Sequence, residues 1–485
     1  MHNLIFNEIM LIFVYNLLII LKEGTKMLDK NTIFDVLTAA MSKGADFAEV
    51  FLDDTVASNI NYVDKQVEST QSGRDFGIGI RVIRGLNCVY AYTNSFIKEE
   101  MINTALKAAA ALEGVKKDIT INLCKSDVFN RNPIKIMPDI VDKSEKLEYM
   151  KQAYSTIMGY DECIKQASIT YLDKIQNILV ANTEGLFKTD KRVYTRMAIS
   201  AVAEHNNEMQ TGFAGPGAHK GFEFVKEMDI VDISRNAAET AKKMAYAGYC
   251  KAGAYPVVID NGFGGVIFHE ACGHSLEATS VAKGNSVFSG KLGEKIAADC
   301  VTAIDDATLP NQWGTTNMDD EGGETRKNIL IENGILKGYL IDKLNGKRMG
   351  MESSGSGRRQ NYRYAPTSRM SNTFIDNGSS KKEEIIQSTD FGLYAKQMGG
   401  GSVNPGTGEF NFSVQEGYMI RNGKIAEPVR GATLIGKGSE ILKNIDMVAD
   451  NLSMAQGMCG SSSGSVPTNV GQPTLRVSKI TVGGR

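Results

Sequence analysis

Apolar positions along the chain recur first with a helical and then with an alternating period. In residues 31–43, apolar side chains fall at Ile33, Val36, Leu37 and Ala40, with Asn31 as the expected N-cap and Gly44 as the stop. That spacing predicts a helix. The segments DFAEVFLDD, SNINYVDKQVE and FGIGIRVIRGLNCVYAYT alternate or run apolar, with β-branched and aromatic residues, and predict strands. Two more helices are predicted over 97–113 and 142–158. Alternation returns over 166–203, with a turn at Asn182 to Gly185. A long helix over 232–248 then leads into a different kind of sequence: an apolar strand (YPVVID), a glycine-rich turn (NGFGG) and the helix GVIFHEACGHSLEATS. Beyond it β signals dominate. Asn333-Gly334 and Asn422-Gly423 mark hairpins, one helix is predicted over 437–450, and TLRVSKITV closes the chain as a strand. The pattern predicts an α+β protein: a mixed α/β N-terminal domain over 27–230, then a β-rich C-terminal domain over 231–485 that carries the histidine-containing helix.

Residues 1–26 are set apart as a hydrophobic N-terminal extension. Residues 9–21 are apolar except Asn16, yet Glu8 precedes them, no Lys or Arg does, and no small-residue cleavage site follows. A membrane span needs about 20 apolar residues, so neither a secretory signal nor a membrane anchor is expected. A conventional soluble pattern opens at Met27.

Composition narrows the classes of function. With 54 Lys+Arg against 56 Asp+Glu in 485 residues, the net charge of −2 gives no electrostatic case for nucleic acid. Forty-nine glycines against ten prolines favour tight turns and close backbone approaches. The seven cysteines are scattered without a CxxC pair, as expected of a chain in a reducing cytoplasm.

Two of the five histidines stand in His269-Glu270-Ala271-Cys272-Gly273-His274, a HExxxH pattern. Imidazole is the commonest protein ligand for zinc, and an adjacent carboxylate can take a proton from zinc-activated water. In a regular helix, residues five apart differ by about 140° and would point their rings apart. A single π-type turn near Gly273 would bring them to about 50°. A catalytic zinc takes three protein ligands. Cys272, Glu277 and the glycine-flanked Cys459 are the candidates for the third, and spacing does not choose among them. The SSSGS after Cys459-Gly460 suggests an exposed loop. NGFGG reads as a strand-to-helix turn. Arg358, Arg359, Arg363 and Arg369 are candidates for a peptide's terminal carboxylate, a nearby main chain or a solvated face; Asp319-Asp320-Glu321 could ligate a second metal, with an N-terminal or loop-anchoring role the expectation; and His205 and His219 are expected in surface or satisfied core positions.

Several ordered motifs together resemble the TldD/PmbA family of metallopeptidases, in its catalytic type. They are GIGIRVIRG with VYAYT, HEACGHSLEA, DDEGGETRKNILIENGILKGYLID, GRRQNYRYAPTSRMSNTFI, GGGSVNPGTGEF, and MCG with VGQPTLRVSKITVGG. The resemblance runs from Met27 to Arg485. It implies that His269, His274 and Cys459 hold zinc, that Glu270 is catalytic, and that the substrate is a small or unfolded peptide. It further implies a dimer, either with itself or with a non-catalytic paralogue. The SSSG after Cys459-Gly460 departs from the family, which more usually has Lys or Gln there. The alternative function is a non-catalytic peptide-binding or regulatory subunit with a structural zinc.

Overall fold

The computed structural model describes residues 28–112, 114–115, 120–404 and 407–485. The expected extension over 1–26 lies outside the described residues. Six long strands dominate the N-terminal half: β1 (Phe47–Val63), β2 (Gln66–Arg84), β3 (Asn87–Thr93), β4 (Ile164–Asn182), β5 (Leu186–His205) and β6 (Glu208–Ala214). They form one antiparallel sheet in the order β3-β2-β1-β4-β5-β6, with short strands pairing on β5 to complete eight. The pattern of SNINYVDKQVE predicts a strand straight through Asp64-Lys65, where the chain instead reverses. Asp64 and Lys65 take φ of 49° and 64°, and Asn206-Asn207 make a second such turn at 51° and 62°. Positive φ at both central residues gives the twist that matches antiparallel strands.

Four helices cover one face of this sheet. α1 (Lys30–Met41) and α2 (Lys98–Ala110) pack with Val50, Leu52, Ile78, Ile80 and Leu179. α3 (Lys143–Met158) and α4 (Ile230–Tyr246) pack with Ile169, Tyr171, Met197 and Ile199. The N-cap of α1 is Asp29 rather than Asn31, because the Asp29 carboxylate accepts from the backbone N–H of both Asn31 and Thr32. The helix expected to open the second domain at 231 buries Ala237, Ala238, Ala241 and Ala245 in the core of the first sheet.

The C-terminal strands are β7 (Gly253–Ile259), β8 (Ala303–Asp306), β9 (Lys327–Glu332), β10 (Asn372–Ile375), β11 (Phe391–Val403), β12 (Glu409–Arg421), β13 (Thr433–Lys437), β14 (Ser453–Ser461), β15 (Gly464–Gln472) and β16 (Leu475–Gly483). β11 pairs with both β7 and β12, so the path β11-β7-β16-β13-β12 closes into a five-stranded barrel. A six-stranded sheet runs β9-β8-β10-β15-β14 from the short strand Ile335–Leu336. Both Asn-Gly turns form as expected, with φ of 48° and 79° at Asn333-Gly334 and 49° and 72° at Asn422-Gly423. The helix expected over 437–450 is confined to Gly438–Asn444, and Ile445–Val448 pairs with β16 instead.

The helix α5 (Val266–Ala271) sits between barrel and sheet, with Val266, Ile267, Phe268 and Ala271 in the shared core. Its start comes so close to β15 that a Cβ on Gly265 would stand 2.5 Å from the Gly471 backbone. The NGFGG segment is the tight strand-to-helix turn expected of it.

The two halves meet through buried charge. Glu49 holds Arg81 at 2.7 Å and Arg359 at 2.5 Å, Arg81 also reaches Glu321 at 2.7 Å, and Arg192 pairs with Asp320 at 2.7 Å. Asp319 accepts from the backbone N–H of Glu321, Gly323 and Gly357. The acidic run therefore anchors loops, as the sequence suggested. The arginine cluster is not a solvated face: Arg358, Arg359 and Arg369 are buried, and only Arg363 reaches solvent, paired with Asp75 at 2.6 Å.

Candidate metal centre

The local fold brings the two motif histidines together by a break. Cys272 N–H still donates to Phe268 O four residues back, at 3.0 Å, but Cys272 itself leaves helical geometry at φ −128°, ψ −46°. Residues Gly273–Leu276 then form a 3₁₀ turn, in which Ser275 N–H donates to Cys272 O. The expectation of one helix with a π-type turn is thus corrected: α5 ends at Ala271, and the tighter turn beyond it redirects His274. A Cβ at Gly273 would stand 2.2 Å from Met370 Sδ, so a larger residue there would have to displace that buried side chain.

His269 Nε2 lies 3.3 Å from Cys459 Sγ, and His274 Nε2 lies 3.3 Å from the same sulfur. The rings stand nearly perpendicular, with centroids 5.1 Å apart. All three potential ligand atoms fall within 4.8 Å of one another. Glu270 is partly exposed at the rim, its Oε2 3.7 Å from His274 Nε2. Burial pushes the Cys459 thiol up, but the His269 and His274 imidazoles beside it outweigh burial and bring it down to about 3. Burial likewise disfavours a charged His274, and the Glu277 carboxylate and the Cys459 sulfur together outweigh it, raising that imidazole.

The other third-ligand candidates lie outside the cluster. Cys272 is buried with its Sγ 3.6 Å from Gly438 O, and desolvation raises its thiol. Glu277 sets its Oε2 3.2 Å from His274 Nδ1, on the far side of that ring from the sulfur contact.

Cys459 is not in an exposed loop. It lies within β14, opposite Val466 in a tight β14–β15 hairpin, and is 4% exposed. Ser463 in the turn is fully buried, since its hydroxyl accepts from Arg369 Nη1 at 2.9 Å. Arg369 also donates to Gly464 O and Cys459 O, and its Nε lies 3.9 Å from Glu277 Oε1. It thereby connects the supports of His274 and Cys459, a role that its place in an arginine-rich stretch did not suggest. Trp313, the one tryptophan of the chain, donates its indole N–H to Gly457 O at 2.9 Å. Its singularity was the only signal of it in the sequence. His205 is half-buried and stacks on Tyr246, and buried His219 donates from Nδ1 to Thr315 O at 2.9 Å. Both fit the surface or core roles expected of them.

Family models for the PmbA/TldA metallopeptidase match three stretches of the chain: domain 1 over residues 48–112, the central domain over 137–245 and the C-terminal domain over 252–484. The chain belongs to the TldD/PmbA metallopeptidase family. Relatives within it include the metalloprotease TldD homologue of Buchnera aphidicola, 33% identical with 96% of this chain and 98% of that one covered. The Haemophilus influenzae TldD homologue is 34% identical, covering 94% and 97%. A TldD homologue of Saccharolobus solfataricus, described as a zinc metalloprotease, is 27% identical over 93% of this chain and all of its own. The TldD/PmbA fold is shared with two solved structures. TldE from Thermococcus kodakarensis superposes with a TM-score of 0.74 at 19% identity, over 93% of this chain and all of that one. A Thermotoga maritima protein described as a candidate modulator of a DNA gyrase gives 0.77 at 21%, over 94% and 100%. Among the described residues no helix is long and apolar enough to cross a membrane.

Proposed function

We propose that this chain is a zinc-dependent peptidase acting on small or unfolded peptides, with His269, His274 and Cys459 as the metal ligands and Glu270 as the general base. The observation that carries this reading is the convergence of two imidazole nitrogens and one sulfur, with a carboxylate at the rim of the same cluster. The donor set fits the metal: a thiol held down to about 3 is a thiolate at neutral pH, and imidazole nitrogen and thiolate sulfur are both zinc donors, here in the number a catalytic zinc takes from protein. A bound zinc would polarise the scissile carbonyl and activate water at neutral pH.

The chain's own residues supply the remaining steps. Glu270, more exposed than either motif histidine and facing the cluster, takes the proton of the attacking water at a carboxylate oxygen and gives it to the leaving amine. Glu277 fixes the His274 ring by accepting from Nδ1, which leaves Nε2 directed at the cluster. Arg369 holds the Cys459 hairpin from behind. The structural-zinc alternative needs a fourth protein ligand, and neither Cys272 nor Glu277 turns toward the cluster to supply one. The reading extends to a cytoplasmic enzyme, supported by seven cysteines that are all free, and to a dimer with itself or a non-catalytic paralogue, supported by the fold it shares with TldE.

Glu270→Gln tests the reading because the amide preserves shape and removes the base. Zinc content should stay at the wild-type level while peptide hydrolysis falls by about 100-fold or more. Hydrolysis at the wild-type rate would remove Glu270 from the mechanism.

A further inference from the structure

The fully buried arginines among the described residues are paired. Arg81, Arg192 and Arg359 hold carboxylates, and Arg358 and Arg369 hold backbone carbonyls. Half-buried Arg196 has no ion pair among the described residues, and its Nε is buried without a hydrogen-bond partner, as are those of Arg81, Arg359 and Arg369. Its surroundings are rings and bare backbone: the Trp313 ring lies 5.9 Å from the guanidinium carbon, and Gly215 leaves room where a Cβ would stand 2.9 Å from Nη2.

Sheet register shows what Arg196 faces. It stands opposite Leu172 on β4, which stands opposite Asn59 on β1, and the neighbouring row is Tyr194, Lys174 and Ala57. These side chains share the sheet face of Phe51, Ile178 and Val180, which pack on Met318 and Tyr362 of the C-terminal half. Past that packed zone the face becomes a half-buried polar shelf. Lys174 is influenced by Asp53 without bonding it, since Asp53 accepts from Thr55 and Gln176 instead. Asn59 Oδ1 is buried and unpartnered as well. The shelf adjoins the metal-site strand through Trp313, whose indole N–H donates to Gly457 O two residues before Cys459.

Two partly desolvated cations that bond no carboxylate cost stability, which the Trp313 ring beside Arg196 and the more distant Asp53 charge near Lys174 offset only in part. Such local conflicts are expected where a ligand completes the arrangement. We propose that Arg196, with Lys174 in the neighbouring row of the same sheet face, forms a subsite that receives a carboxylate of the peptide substrate. The guanidinium offers a planar two-donor fork to the carboxylate, and Lys174 adds charge. The carboxylate is either the α-carboxylate of a free C-terminus or an acidic side chain, and the two sources are separable. This inference rests on the peptidase reading.

The experiment measures binding of fluorescent peptides to zinc-loaded Glu270→Gln protein, with turnover by the wild type in parallel. One pair of peptides differs only in a free or amidated C-terminus, and a second, amidated pair only in Asp or Asn. The expected result is that the anionic member of one pair binds at least ~10-fold tighter, the scale of one charge-assisted contact, and less so at high salt. The pair that shows the preference names the source. Adding Arg196→Gln should abolish the preference, and Arg196→Lys should restore part of it. Equal binding within both pairs overturns the subsite, and needs no variant at Arg196 to be read. A preference that survives Arg196→Gln in folded protein overturns it too. Charge-dependent binding without wild-type turnover of any peptide would instead sink the peptidase reading and leave the subsite standing as a peptide-binding one.

Discussion

Replacing Arg369 with Met keeps most of the side chain's bulk and removes its charge and donors. Arg369 is fully buried and donates to Ser463 Oγ at 2.9 Å, to Gly464 O at 2.8 Å and to Cys459 O. It is also the cation beside Glu277, whose side chain is 6% exposed. The substitution removes the Arg369 donor from three buried acceptors, at about 1–3 kcal/mol each where no water reaches them, and takes away the cation beside Glu277, which keeps its contact with His274 Nδ1. These terms overlap, because relaxation that relieves one relieves the others. The expected loss is therefore about 3–5 kcal/mol rather than their sum. Because Glu277 positions His274 while Arg369 positions Cys459, zinc affinity should fall as well, by about 10–100-fold. Denaturant unfolding gives the first quantity and competition with a chromophoric chelator the second. Arg363→Met is the control: its ion pair with Asp75 is largely exposed and should be worth at most about 1 kcal/mol. If Arg369→Met matched Arg363→Met in both assays, the linkage between the two ligand supports would be refuted.

Two further perturbations test the fold that carries the site. Burial pushes the His219 imidazole down from 6.5 to about 3, so below pH 6.5 the unfolded chain binds a proton that the folded chain refuses. The stability this group contributes is complete above pH 6.5 and is lost as pH falls toward 3, by about 2 kcal/mol between pH 6.5 and 5; urea unfolding across that window should show the slope, and His219→Asn should flatten it. Gly265→Ala would press a Cβ against the Gly471 backbone, so it should cost about 1–3 kcal/mol or more and displace α5, with weakened zinc binding in the same preparation; full stability and affinity would show that α5 and β15 can separate freely.

Local signals carried much of the fold. Alternation marked the long strands, and Asn-Gly marked two hairpin turns because those residues accept positive φ cheaply. Asp64-Lys65 and Asn206-Asn207 make the same kind of turn without glycine, so the signal there is weaker, and at Lys65 absent. Barrel closure depends on β11 pairing with two strands at once, one of them more than a hundred residues earlier, and no local period encodes that. The serine-rich stretch after Cys459 read as a loop, since nothing local shows that Ser463 is buried as the acceptor for a distant arginine. For the candidate site, both histidines and Glu270 stood in one hexapeptide. Cys459, 185 residues beyond His274, was singled out by family resemblance alone. The break after Ala271 was harder to read than the π-type turn expected there, because Cys272 leaves helical geometry where no Pro or positive-φ residue marks it, and Met370, which packs on Gly273, lies almost a hundred residues away.

Titration of metal-stripped protein with zinc, read simultaneously as hydrolysis of a mixture of short unstructured peptides, bears most directly on the claim that His269, His274 and Cys459 build a catalytic zinc site. The account predicts no turnover in the stripped protein, recovery that saturates at one zinc per chain, and no recovery in Cys459→Ser at the same zinc concentration. Hydrolysis by the stripped protein, or full recovery in Cys459→Ser, would contradict it.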